Sequence, residues 1–137
     1  MSNKAVTEAA RLAKALGAEL LVVHVRSPIE IPHHVEGGAL SRLGEGKVME
    51  EIEDEERQLL DDAIDTAASA GVAAKAAFVA GYEPYEAIIR VSREQNCDLI
   101  VMASHSRHGL PRLFLGSETQ KVLAHTGTPV LVVRRTE

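Results

Sequence analysis

Leu99-Ile100-Val101-Met102-Ala103-Ser104-His105-Ser106, nine further residues, and then Gly116-Ser117 is the stretch that decides the fold. The apolar run Leu99–Met102 reads as a strand, and a short helix opens at Ser117. A loop that leaves a parallel strand and feeds a helix N-terminus is where α/β proteins hold phosphates. Free N–H groups and the positive end of the helix dipole both point there. Ser117 followed by Gln120 predicts a capping box. Gly116 lets backbone approach an anion with no Cβ in the way.

Outward from this stretch, helices and strands alternate. Residues 3–16 place Val6, Ala9, Ala10, Ala13 and Leu16 on one helical face, and Gly17 supplies a stop. Residues 19–25 are continuously apolar apart from Glu19 and His24, as expected of a strand buried on both faces. Residues 26–45 carry Pro28, Pro32, Gly37, Gly38 and Gly44 and read as a long mobile loop. Helical period returns over 46–70, with Val48, Ile52, Leu59, Ala63 and Ala67 on one face and Gly71 at the end. A strand over 72–79, a turn at Gly81 and Pro84, and a helix over 84–95 with Tyr85, Ile88 and Ile89 facing inward come next. Strand 98–103, loop 104–116, helix 117–126 and strand 129–134 complete the chain. Strands alternating with helices predict an α/β single domain: an open parallel sheet with right-handed crossovers and helices on both faces.

The 137 residues suffice for one domain with a real core. Aromatics are only 3%, so the core is Ala, Val, Leu and Ile, and stacking platforms for single-stranded nucleic acid are lacking. A net charge of −5 argues against a partner bound through nucleic-acid phosphates. Cys97 is the single cysteine, so no intramolecular disulfide forms, which fits a cytoplasmic location. No run of 18 apolar residues predicts a membrane span.

The layout resembles the universal stress protein family, the UspA-like domains. Nucleotide-binding members carry Gly-x-x-Gly, nine residues, then Gly-Ser or Gly-Thr at this place. Here the spacing is kept, with Ala103 and Ser106 at the two leading glycine positions. Leu12-Ala-Lys-Ala-Leu-Gly17-Ala-Glu-Leu-Leu-Val-Val-His-Val25, Gly81 with Pro84, Cys97-Asp98-Leu-Ile-Val-Met102 and Pro129-Val-Leu-Val-Val-Arg134 extend the resemblance over nearly the whole chain. It implies a Rossmann-like, adenine nucleotide alpha-hydrolase-like sheet. It also implies a first strand ending in Val-Asp-Gly-Ser in the middle of that sheet, whereas this sequence opens inside the helix that follows. The family aspartate that holds adenine therefore has no counterpart here, and truncation is the expected reason.

The resemblance further implies a dimeric stress-response module that binds ATP or AMP, with Mg2+ accompanying ATP. Backbone around Val25 would meet adenine. Met102, Ala103, His105 and Ser106 would surround ribose and phosphates, and Gly116, Ser117 and Glu118 would meet the phosphates. If the family glycines require φ > 0, a Cβ at Ala103 or Ser106 costs on the order of 1 kcal/mol each. Two other functions compete: an interaction dimer without nucleotide, and a slow ATPase using the same loop with Arg107 and Arg112. Residues outside the motif read as structural. His105 and His108 lack the converging ligands of a metal site, and His24 reads as a partly buried strand residue. His33 and His34 fall in the long loop with no readable role. The acids Glu50, Glu51, Glu53, Asp54, Glu55, Glu56, Asp61 and Asp62 form the solvated face of a helix, and Cys97 packs as a small residue. No Gly-x-Ser-x-Gly elbow and no Walker lysine is present, so no catalytic residue is assigned. The last strand, 129–134, is apolar and at an edge, which predicts pairing with a second copy; a further protein partner is expected from the signalling role.

Overall fold

The computed structural model describes residues 3–26, 39–104 and 115–134, with backbone alone for 39–52. Helices and strands alternate through these residues: α1 (Asn3–Leu16), β1 (Leu20–Arg26), α2 (Ala39–Ser69), β2 (Ala74–Ala80), α3 (Pro84–Glu94), β3 (Ile100–Ser104), α4 (Ser117–His125) and β4 (Val130–Arg134). The first three helices end in the same way. Gly17 and Gly71 adopt φ of 63° and 80°, and Asn96 adopts 53°. Each closes a double hydrogen-bonded cap: at the end of α1, Gly17 N donates to Lys14 O at 3.4 Å and Ala18 N to Ala13 O at 2.9 Å. Gly71 and Val72 repeat the pattern on Ala68 and Ala67, as do Asn96 and Cys97 on Arg93 and Ser92. Glycine and asparagine tolerate the left-handed region that this cap needs.

The α/β class and the parallel strands are as expected, but pairing occurs in two halves. β1 pairs with β2 from Leu20↔Ala74 to Arg26↔Ala80. β3 pairs with β4 from Ile100↔Val130 to Ser104↔Arg134. Among the described residues no ladder joins β1 to β3. The helices nevertheless form two shared layers. α1 packs on α2 and reaches β1, β3 and β4, while α3 packs on α4 and reaches β1. Both half-sheets thus lie between the same helix layers. One core cluster joins Val6, Val22, Leu60 and Ala63, with Leu20 and Ala74 against it.

Three sequence expectations shift. The loop expected over 26–45 is helical from Ala39 onward, and residues 27–38 lie outside the described set. Ala39-Leu40-Ser41-Arg42-Leu43 has no proline to stop a helix, and a 31-residue helix absorbs Gly44 and Gly46 at about 1 kcal/mol each. Leu16, expected in the core, is 70% exposed because α1 ends there and the chain turns away. Among the described side chains of α2, from Glu53 onward, the buried positions are Glu56, Leu60, Ala63 and Ala67, so Leu60 rather than Leu59 leads the apolar face there, while Val48 and Ile52 lie outside the described side chains.

Candidate functional site

The start of α4 follows from its sequence. Gly116 is the N-cap residue, at φ −58° and ψ 149°, and no side chain caps the helix. The capping box expected from Ser117 and Gln120 therefore does not form: Ser117 is already the first helical residue. Gln120 Nε2 instead donates to Leu115 O at 2.7 Å. The first intrahelical bond runs from Gln120 N to Gly116 O at 3.0 Å. The amides of Ser117, Glu118 and Thr119 precede it and point out of the helix end, as the first-turn donors of any α-helix do. Gly116 is in the ordinary extended region, so its lack of a Cβ is a matter of space and not of torsion.

α4 packs on β3, so this helix start is tied to the strand that precedes the loop. Thr119 and Val122 are its buried anchors. Glu118 turns its carboxylate away from the helix end: Oε2 accepts from Tyr85 N at 3.1 Å, satisfying an orphan donor in the first turn of α3, and Oε1 lies 3.3 Å from Lys121 Nζ. Lys121 also donates to Glu83 at 2.9 Å. These two hydrogen bonds, Glu83 first, hold its ammonium above the ordinary lysine range. The acidic side chain is thus neutralised locally, while its amide stays at the helix end.

Met102 and Ala103 sit near the carboxyl end of β3, opposite Val132 and Val133 of β4. Among the described non-glycine residues only Asn96 has positive φ, so the Cβ of Ala103 imposes no backbone strain. Val25 lies near the carboxyl end of β1, paired with Val79. β1 and β3 flank the gap between the two two-stranded sheets, and each pairs on its other side, β1 with β2 and β3 with β4, so the pairing runs outward in both directions from that gap. In open α/β sheets such a switch point, at the carboxyl ends of the strands, is where ligands sit. Met102 and Ala103 line the pocket between β1 and β3, whereas Val25 and the start of α4 are not among its described lining residues. His105 and Ser106, together with Arg107, His108 and Arg112, lie outside the described residues.

One group escaped the sequence reading. Glu56 was assigned to a solvated helix face, yet only 9% of it is exposed. Arg26 Nε donates to Glu56 at 2.6 Å, and its Nη2 pairs with the same carboxylate. His24 Nε2 lies 3.5 Å from the other oxygen. The hydrogen bond that Arg26 donates to Glu56, joined by the charge of Glu53, raises the guanidinium above its usual range. Phe78 stacks edge-on against His24 at 5.9 Å and lies under Arg26 at 6.0 Å. The cluster locks β1 to α2, 30 residues apart in sequence, and so fixes the end of the strand that carries Val25. Among the described residues no three His, Cys, Asp or Glu side chains are grouped to hold a metal ion, and no helix is long and apolar enough to cross a membrane.

Parallel strands between two helix layers define a Rossmann-like α/β domain. The model of the universal stress protein family matches residues 1–134. The chain belongs to that family. It is 33% identical to a universal stress protein of Bacillus subtilis over 138 aligned residues, covering 98% of this chain and 91% of the relative. Solved structures agree on the fold. A universal stress protein in complex with cAMP superposes with a TM-score of 0.70 at 23% identity, over 98% of this chain and 88% of that one. One from Archaeoglobus fulgidus in complex with dAMP gives 0.63 at 18% identity, over 95% and 85%.

Proposed function

We propose that this chain is an adenine-nucleotide-responsive module that binds ATP or AMP in the crevice between the carboxyl ends of β1 and β3. The phosphates meet the amides of Ser117 and Glu118 and the Ser117 hydroxyl, beside Gly116. Ribose and adenine lie toward Met102, Ala103, His105, Ser106 and the backbone at Val25. The observation that supports this reading is the start of α4: first-turn amides ahead of the first intrahelical bond, behind a residue without a Cβ. The ligands of two structural neighbours, cAMP and dAMP, support an adenine nucleotide as the class. Mg2+ enters with ATP, as part of the ligand. The extended torsions of Ala103 support binding despite the lost glycine, because its methyl adds bulk without strain.

The protein acts in the cytoplasm as a homodimer through β4, whose Leu131 is 39% exposed on an apolar strand, and signals through contacts that nucleotide alters. Calorimetric titration with ATP and AMP tests the binding reading. Uptake of either with micromolar affinity, lost on Gly116→Val, supports it. Absence of binding to both refutes it and leaves the interaction dimer without nucleotide as the function.

A further inference from the structure

The starts of α3 and α4 exchange caps. Glu83 is the N-cap residue of α3, yet its side chain makes no cap hydrogen bond to its own helix. It reaches α4 instead, where Glu83 Oε2 accepts from Lys121 Nζ at 2.9 Å, 38 residues later in sequence. The first-turn amide of Tyr85 is served from α4 in return, donating to Glu118 Oε2 at 3.1 Å. Lys121 closes the circuit, with its Nζ 3.3 Å from Glu118 Oε1. The Tyr85 ring lies against α4 as well, its centroid 5.2 Å from Lys121 Nζ and 5.2 Å from the His125 ring. The turn that leads into α3 is tied to β1 at its other end. Gly81 N donates to Arg26 O at 3.0 Å, one residue beyond Val25. A Cβ at Gly81 would come within 3.1 Å of the Ala87 Cβ, so this turn sits hard against the first turn of α3.

The side chains of Lys121, Glu83 and Glu118 are 41%, 49% and 37% exposed. Ion pairs so open to water add little to stability, but these hold two helix starts to each other. Given phosphate binding at the start of α4, on which this inference rests, we propose that residues 81–85 form a strut between the two ends of the nucleotide site. Glu83 and Lys121 are its positioning residues, aiming the first-turn amides of α4 at phosphate without touching it. The charge of Glu83 by itself opposes a phosphate. Glu83 favours binding only by holding Lys121, and through it Glu118 and the helix start. The two effects have opposite signs, so removing Glu83 tells them apart.

The test titrates ATP, AMP and adenosine into wild type, Glu83→Ala, Lys121→Met and the double variant by calorimetry. Exchange of the Tyr85 amide is followed by NMR in the ligand-free proteins. One exposed pair shifts an equilibrium by up to about fivefold. Glu83→Ala is expected to weaken nucleotide binding by about three- to fivefold, against the sign of its charge. Lys121→Met is expected to lose as much, and the double variant no more than either alone, because both break one circuit. Adenosine has no phosphate to be aimed at and is expected to bind all four proteins alike. The Tyr85 amide is expected to exchange faster in each variant. Tighter nucleotide binding by Glu83→Ala would reduce that residue to a repelling charge and overturn the proposal. Losses that multiply in the double variant, an equal loss for adenosine, or unchanged Tyr85 exchange would overturn it as well. Wild type that takes up neither nucleotide overturns the aiming role together with the binding reading. That failure is distinguished from failure of the strut by Tyr85 exchange, which needs no ligand.

Discussion

Replacing Gly116 by valine is expected to abolish nucleotide binding while leaving the fold almost untouched. At φ −58° and ψ 149° the residue occupies a region open to every side chain, so the substitution introduces no backbone strain. Valine is a poorer N-cap than glycine, and changes of that kind cost about 1 kcal/mol or less. The effect on binding is much larger. The amides of Ser117, Glu118 and Thr119 lie ahead of the first intrahelical bond, from Gln120 N to Gly116 O. A hydrogen bond to a charged group is worth about 1.5–3 kcal/mol. A branched side chain that keeps phosphate from two of them removes about 3–6 kcal/mol, a loss of 100-fold or more. Ser117→Ala removes one exposed hydroxyl, at the lower end of that range, and is expected to weaken binding about tenfold. Replacing both Ala103 and Ser106 by glycine is expected to leave affinity equal or higher. Calorimetry with ATP and AMP on wild type and these three variants, with thermal unfolding alongside, reads all four outcomes. If Gly116→Val binds as well as wild type, the helix start is not the phosphate site. If wild type binds neither nucleotide and the double glycine variant does, the chain is a non-binding member of its family.

Val122 is fully buried on α4, and Val122→Ala removes two carbons. The transfer loss and the cavity together are expected to lower stability by about 2–3 kcal/mol in urea unfolding; a change well under 1 kcal/mol would mean that α4 is not seated on β3 as described. Lys121 titrates above the ordinary lysine range because its charged form is hydrogen-bonded by Glu83 and then Glu118. Its contribution to stability is full below the unfolded lysine pKa and is lost as pH rises through the raised value. The melting temperature of wild type should therefore fall more steeply than that of Lys121→Met between roughly pH 9 and 12, and parallel slopes would refute the pairing. The protein is expected to be a dimer by light scattering at micromolar concentration, with Leu131→Glu on β4 shifting it toward monomer. An unchanged mass for that variant would place the interface elsewhere.

Much of this fold was legible because its signals are local. A continuous apolar run followed by glycine and helical period marks each strand–helix unit, and Gly17 and Gly71 stand where a left-handed cap requires them. The errors lie where structure depends on distant partners or on a single torsion. Glu56 is one acid in an acidic run. Only its pairing with Arg26, 30 residues earlier, separates it from the neighbours that face water, and no periodicity reveals that. The cap of α4 moved by one residue because Gly116, not Ser117, takes the non-helical torsions. The long α2 was hidden by Gly44 and Gly46, which weaken a helix locally without ending one already extended by neighbouring turns.

The candidate site was legible in its anchors and not in its walls. Gly116 and Ser117 are recognised by residue type and spacing, whereas the crevice depends on where the sheet changes direction, a property of strand order. An apolar strand such as Leu20–Val23 reads the same in sequence whichever neighbour it pairs with, so the pairing of β1 with β2 and of β3 with β4 leaves no mark on any single stretch. Met102 and Ala103 end the strand from which the loop to α4 departs, and two contacts distant in sequence hold that end: its register against Val132 and Val133 of β4, and the packing of α4 on β3.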